Sequence, residues 1–192
     1  MRMDGIGHVG GMDTRETPPA LIIVAGPQAS GKSTLATALS VELRDQGERV
    51  ALVELDQIAA MALPTLPSWE AAHHIFEATI GLWARTGLTC VVAEGSGSDD
   101  EVSRLRTQAL PGAVIVTVAT TVALETAIAR AQSDPTRGIS KDQSFLSRIY
   151  RDWTAELTRI SPDIVIDTDR CTVEESVERI GVTLGAARLR HD

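Results

Sequence analysis

Short uninterrupted apolar runs alternate along the chain with longer stretches in which apolar positions recur every three or four residues. The short runs are "ALIIVA" (20–25), "RVALVEL" (49–55), "LTCVVAE" (88–94), "AVIVTVA" (113–119) and "DIVIDT" (163–168). They are rich in β-branched residues and lack apolar–polar alternation, which predicts strands buried on both faces of a parallel sheet. The stretches between them predict helices over 32–47, 68–87, 99–109, 121–132, 143–159 and 172–189. Gly47 and Gly87 act as helix stops, and Ser68 stands at an N-cap position. Strand and helix alternate throughout, so the expected fold is α/β: a three-layer sandwich with five parallel strands and right-handed crossovers.

Two segments fall outside that alternation. Residues 1–19 ("MRMDGIGHVGGMDTRETPP") are polar, glycine-rich and aperiodic, and predict a flexible leader closed by Pro18 and Pro19. The remaining 20–192 then form a single domain, a size ordinary for one hydrophobic core. "SDPTRGISKD" (133–142) is polar and broken by Pro135 and Gly138, which predicts a hinge between two helices.

Charge narrows the choice of partner. The net charge is −8 with no basic block, so nucleic acid is a disfavoured partner. Two cysteines, Cys90 and Cys171, make no disulfide framework. No run approaches the ~18 apolar residues of a membrane span, and the N-terminus lacks a secretory apolar core. A cytoplasmic location without a membrane partner is the expectation; oligomeric state is not legible. Lysine occurs only at Lys32 and Lys141, whereas arginine occurs throughout. Retention of a compact ammonium at Lys32 matters because a guanidinium does not replace it in a tight loop.

Lys32 lies in "GPQASGKST", directly after the first strand and at the start of the first helix. Gly26, Gly31, Lys32 and Ser33 match G-x-x-x-x-G-K-[ST] in the strand–loop–helix setting that gives this pattern meaning. Glycines let backbone N–H groups turn inward, and the helix N-terminus adds unpaired donors and the positive end of its dipole. Gly26, Pro27, Gln28, Ala29, Ser30, Gly31, Lys32, Ser33 and Thr34 are therefore candidate triphosphate contacts. Lys32 meets the β/γ-phosphates and Ser33 is the candidate Mg²⁺ ligand. Asparagine is absent, so the Asn-Lys-x-Asp guanine reader cannot form, and ATP is the expected nucleotide.

Ligand chemistry in an open parallel sheet gathers at the strand C-termini. Strand two ends with Glu54 and Asp56, strand three with Glu94. Acids there hold Mg²⁺ through water or accept the proton of an attacking hydroxyl. Asp56 is the candidate base and Glu94 the substrate or metal contact, with the reverse assignment as the alternative. In the hinge, Arg137 is the first candidate for a lid cation over the transferring phosphoryl group, and Arg130 the second. "IAAMALPTLPSWEAAHHIF" supplies an apolar wall for an acceptor, with Trp69 and His73 as candidate contacts beside Glu54. The alternative is that Trp69, Phe76 and Trp83, spaced seven apart, form one core-facing stripe.

Together the glycine loop, "ELD", "EGS", the Arg-bearing hinge and the closing "DIVIDTD…VEESVERI" resemble a small P-loop kinase. The nearest likenesses are chloramphenicol phosphotransferase-like and zeta-toxin-like kinases, with shikimate, gluconate and adenylyl-sulfate kinases more distant. The resemblance implies a sheet of order 2-3-1-4-5, Asp56 as general base, and Glu94 as an acceptor contact. It implies Arg137 as the lid arginine, and a Thr168–Arg170 loop bordering adenine, so that Arg170 joins the nucleotide contacts. The function expected is ATP- and Mg²⁺-dependent phosphotransfer to a hydroxyl of a small molecule such as an antibiotic, sugar or related metabolite. A 5′-hydroxyl polynucleotide kinase, a zeta-like sugar-nucleotide kinase and a nucleotide-gated regulatory ATPase are the alternatives.

Overall fold

A computed structural model describes residues 17–135 and 138–191. Its five strands are β1 (Ala20–Ala25), β2 (Val50–Glu54), β3 (Cys90–Glu94), β4 (Val114–Thr121) and β5 (Ile164–Asp167). All pair in parallel, in the order β2-β3-β1-β4-β5. That is the expected α/β sandwich and the expected strand order.

Parallel register puts partners on the same face, and side chains alternate between faces along each strand. Ile22, Val24, Val92, Val116, Val118 and Ile166 therefore share one face, where they pack on Leu35, Leu39 and Leu43 of α1 (Lys32–Asp45). Val177, Ile180 and Leu184 of α7 (Val173–Leu189) complete that layer. Leu21, Ile23, Val53, Val91 and Ala93 share the other face, against Phe76 and Ile80 of α3 (Trp69–Ala84). Val102 and Leu105 of α4 (Asp99–Arg106), and Trp153 and Ile160 of α6 (Gln143–Ile160), cover the remainder. Three leucines of α1 contribute on the order of 5–9 kcal/mol of gross burial. That outweighs the few tenths of a kcal/mol forgone at its N-cap, where Gly31 offers no side-chain acceptor.

Boundaries differ from the sequence expectation in instructive places. β2 ends at Glu54, whose register partner is Glu94, the last residue of β3. With no strand left to pair, the chain turns straight into a short helix, α2 (Leu55–Ala60), which hydropathy did not mark. β4 runs on to Thr121 because its last four residues pair with β5, and α5 (Leu124–Ser133) starts correspondingly late. The hinge contains a one-turn 3₁₀ segment, Ile139–Lys141, before Asp142 caps α6.

The Trp69–Phe76–Trp83 stripe does not form. Phe76 is fully buried, but Trp69 and Trp83 are 54% and 46% exposed. α3 is about 24 Å long and the five-residue strands beneath it about 17 Å, so both helix ends overhang the sheet. Among the described residues, no helix is long and apolar enough to cross a membrane.

Candidate active site

The loop from Gly26 to Gly31 joins the C-terminal end of β1 to α1, and packing sets its shape. A Cβ at Gly26 would fall within 2.8 Å of Ser30 Oγ and closer still to Thr120 Oγ1. Ser30 and Thr120 hydroxyls share a 2.6 Å hydrogen bond, and Thr120 donates to the Ala25 carbonyl. Pro27 O accepts from Ser30 N–H at 3.3 Å, and the Tyr150 hydroxyl of α6 donates to Gln28 O at 3.0 Å. Ala29 is buried with φ 62°, a left-handed conformation that a non-glycine residue holds only where its surroundings enforce it. Gly31 follows at φ 91°, and the first intrahelical bond is Leu35 N–H to Gly31 O. The N–H groups of Lys32, Ser33 and Thr34 are left at a helix start with no side-chain cap, available to an anion.

Lys32 Nζ donates to Pro27 O at 3.2 Å and lies 3.5 Å from Glu94 Oε1. Fold geometry explains the pair. α1 covers the sheet face onto which the alternation of β3 directs Cys90, Val92 and Glu94, so the first residue of α1 meets the last of β3. Burial pushes the Glu94 carboxyl up, Lys32 draws it down, and Asp56 and Glu54 push it up again; the net direction is upward. Burial, followed by the Asp56 charge, also raises Glu54. The three acids therefore share one field at the strand C-termini, as expected. Asp56 is exposed and lies in the first turn of α2 rather than in a loop.

A cavity of about 290 Å³ opens on the other side of the loop, lined by Ala29, Gly31, Thr34, Arg130, Thr168 and Cys171 among others. Arg130 donates from Nη1 to Thr168 Oγ1 (2.9 Å) and from Nη2 to Thr168 O (3.1 Å), and Thr168 donates to Ser30 O at 3.0 Å. β5, α5 and the phosphate loop are thus stitched into one wall.

Residues 18–139 match the adenylylsulphate kinase family. The chain belongs to that family. It is a P-loop kinase, and the family shown is one that the sequence resemblance placed among the more distant likenesses. Shikimate kinase from Bacteroides thetaiotaomicron superposes with a TM-score of 0.63 at 17% identity, covering 86% of this chain and 98% of that one. A gluconokinase from Sinorhizobium meliloti 1021 gives 0.59 at 18% identity, covering 92% and 97%. The tunicamycin resistance protein of Deinococcus radiodurans gives 0.60 at 13%, covering 87% and 96%. At these identities the likeness is one of fold. A signal recognition particle protein from Mycobacterium leprae (strain TN) is 48% identical over 56 residues, 27% of this chain and 11% of that protein. This chain thus spans about a tenth of that curated relative.

In this adenylylsulphate kinase family member, the glycine loop, Arg130, Glu54, Asp56 and Glu94 gather at one sheet edge. Arg170 is 86% exposed, pairs with Asp167 at 3.3 Å and does not line the cavity; its neighbours Thr168 and Cys171 do. Trp69 is exposed at the start of α3. His73 is engaged through Nδ1 by the Glu101 carboxylate at 2.6 Å. Arg137 lies outside the described residues. Sequence reasoning missed Thr120, Gly97 and Glu101, and named Thr168 only as the start of the loop after the last strand. The spacing Ser98-x-x-Glu101 is a readable helix-start signal, and Ser98 Oγ does accept from Glu101 N–H. The Glu101 side chain, however, reaches back to Gly97 N–H rather than to the cap residue.

Proposed function

We propose that this family member transfers the γ-phosphate of ATP to a hydroxyl group of a small molecule. The observation that carries the reading is Lys32 at the mouth of the phosphate loop, paired with Glu94 and sharing a field with Asp56 and Glu54. A cationic cradle for the donor and a carboxylate for the acceptor thus stand at one edge.

The residues fit the implied ligands. Uncapped N–H groups at the start of α1 and the Lys32 ammonium suit the phosphates, and the cavity beside Thr34 and Arg130 suits the nucleoside. Among the described residues no three His, Cys, Asp or Glu side chains form a cation cage. Ser33, next to Lys32 in the loop, would hold Mg²⁺, and the ion would supply charge neutralisation for the phosphate chain. Asp56, exposed at the open end, takes the proton of the acceptor hydroxyl. The acceptor oxygen forms a bond to the γ-phosphorus as the bond from that phosphorus to the β-phosphate oxygen breaks, releasing ADP. Lys32 and Arg130 hold the phosphate chain, and Arg137 serves as the lid cation. Glu94 sets the position of Lys32, and Glu54 and Trp69 border the acceptor.

The test is ADP release with a panel of adenylylsulphate, shikimate, gluconate, sugars, nucleosides and hydroxyl-bearing antibiotics. Turnover should depend on one acceptor class. Asp56→Asn should lower it by about 10²–10⁴-fold with ATP affinity retained. Steady ADP release without any acceptor, undiminished in Asp56→Asn, would refute the reading.

A further inference from the structure

We propose that the buried His73–Glu101 pair is the positioning device of the β3–α4 turn, holding Gly97 against the phosphate loop and Glu94 across from Lys32. Glu101 is 1% exposed, the most buried carboxylate among the described residues. A carboxylate so enclosed stays ionised only when fixed partners replace its water. It has two: the Gly97 N–H donates to Oε1 at 3.0 Å, and the His73 ring stands as an ion-pair partner with Nδ1 2.6 Å from Oε2. Burial pushes the Glu101 carboxyl up, but His73 and the Gly97 N–H draw it below the usual carboxylate range, and Glu101 raises His73 in turn.

What Glu101 grips is the turn that carries the active-site acid. Gly95, next after Glu94, lies so close to the Glu101 carboxylate and the Phe76 ring that no Cβ fits between them. Gly97 has φ 82°, and a Cβ there would fall 2.6 Å from Gly26 N and 3.1 Å from Ala25 Cα. Backbone thus presses on backbone at the root of the phosphate loop. One line of contact runs from His73 on α3, through Glu101 on α4, to Gly97 and then Gly26. α3 also supplies the acceptor wall, so the pair ties that wall to the phosphate cradle. His73 acts through Glu101 and is a positioning residue. The inference rests on the phosphotransfer reading for its effect on kcat, but not for the clamp itself.

The test compares the wild-type full chain with His73→Leu and His73→Gln by hydrogen exchange over residues 95–98 and by acceptor-dependent ADP release. His73→Leu should raise exchange there about tenfold. It should lower kcat by about 10²-fold, with KM for ATP changed less than about threefold. His73→Gln keeps a donor toward Glu101 and should bring both back to within about threefold of wild type. Unchanged exchange in folded His73→Leu, or no rescue by His73→Gln, overturns the proposal. Should His73→Leu not fold, Gly97→Ala decides. It leaves the pair in place but drives the turn off Gly26, and wild-type exchange and turnover in that variant would refute the clamp. If no acceptor is found, exchange alone settles the clamp, separately from the function.

Discussion

Glu94 is a carboxylate 95% removed from solvent, with one cation beside it and two acids in its field. Its folded value lies above the ordinary 4.5, so between 4.5 and that raised value the folded chain holds the extra proton. The stability contributed by Glu94 therefore falls as pH rises through that window and stays low above it. Glu94→Gln should melt higher than wild type at pH 8, and the gap should close near pH 4. Thermal melts across that range check it, and a gap independent of pH would count against the assignment. Lys32 and Ser33 were legible in the sequence because local spacing defines the loop. The Lys32–Glu94 pair was not, since it depends on strand register and on which sheet face α1 covers.

Elements add constraints that no single residue carries. The phosphate loop keeps its shape because Gly26 fits between Ser30 and Thr120 hydroxyls and Gly97 closes on it from the β3–α4 turn. Gly26→Ala should overpack this junction, costing about 1–3 kcal/mol of stability. The loop must shift to admit the methyl, so nucleotide affinity should fall at least about tenfold. Denaturant melts and nucleotide titration measure the two effects, and an unchanged affinity would show that the loop tolerates the displacement. Hydropathy placed α3 correctly but could not reveal that its ends overhang the sheet and leave Trp69 and Trp83 exposed. A seven-residue spacing marks one side of a helix, and the length of the strands beneath it limits how much of that side is covered.

Taken whole, the domain is a sheet with two cores and a ligand edge at which α1, β3, β4, β5 and α5 meet. A nucleotide bound there touches elements from most of the sheet and should stabilise the entire domain. At a hundredfold excess over Kd the gain is about 2.7 kcal/mol. This corresponds to a rise in Tm of about 5–10 °C for a chain of this size. Differential scanning calorimetry with a non-hydrolysable ATP analogue checks it; no rise at saturation would mean the cavity beside Thr34 and Arg130 is not the nucleoside site. Apolar runs, their period and one glycine-rich spacing were enough to define the α/β alternation and the phosphate loop, because both arise from neighbours in the chain. The strand order came from resemblance to known kinases. Glu101 beneath the β3–α4 turn, Thr168 bridging Ser30 and Arg130, and the helix that places Asp56 emerged from packing. They join segments far apart in the chain, and nothing local encodes which side chain will close a gap that a distant strand opens.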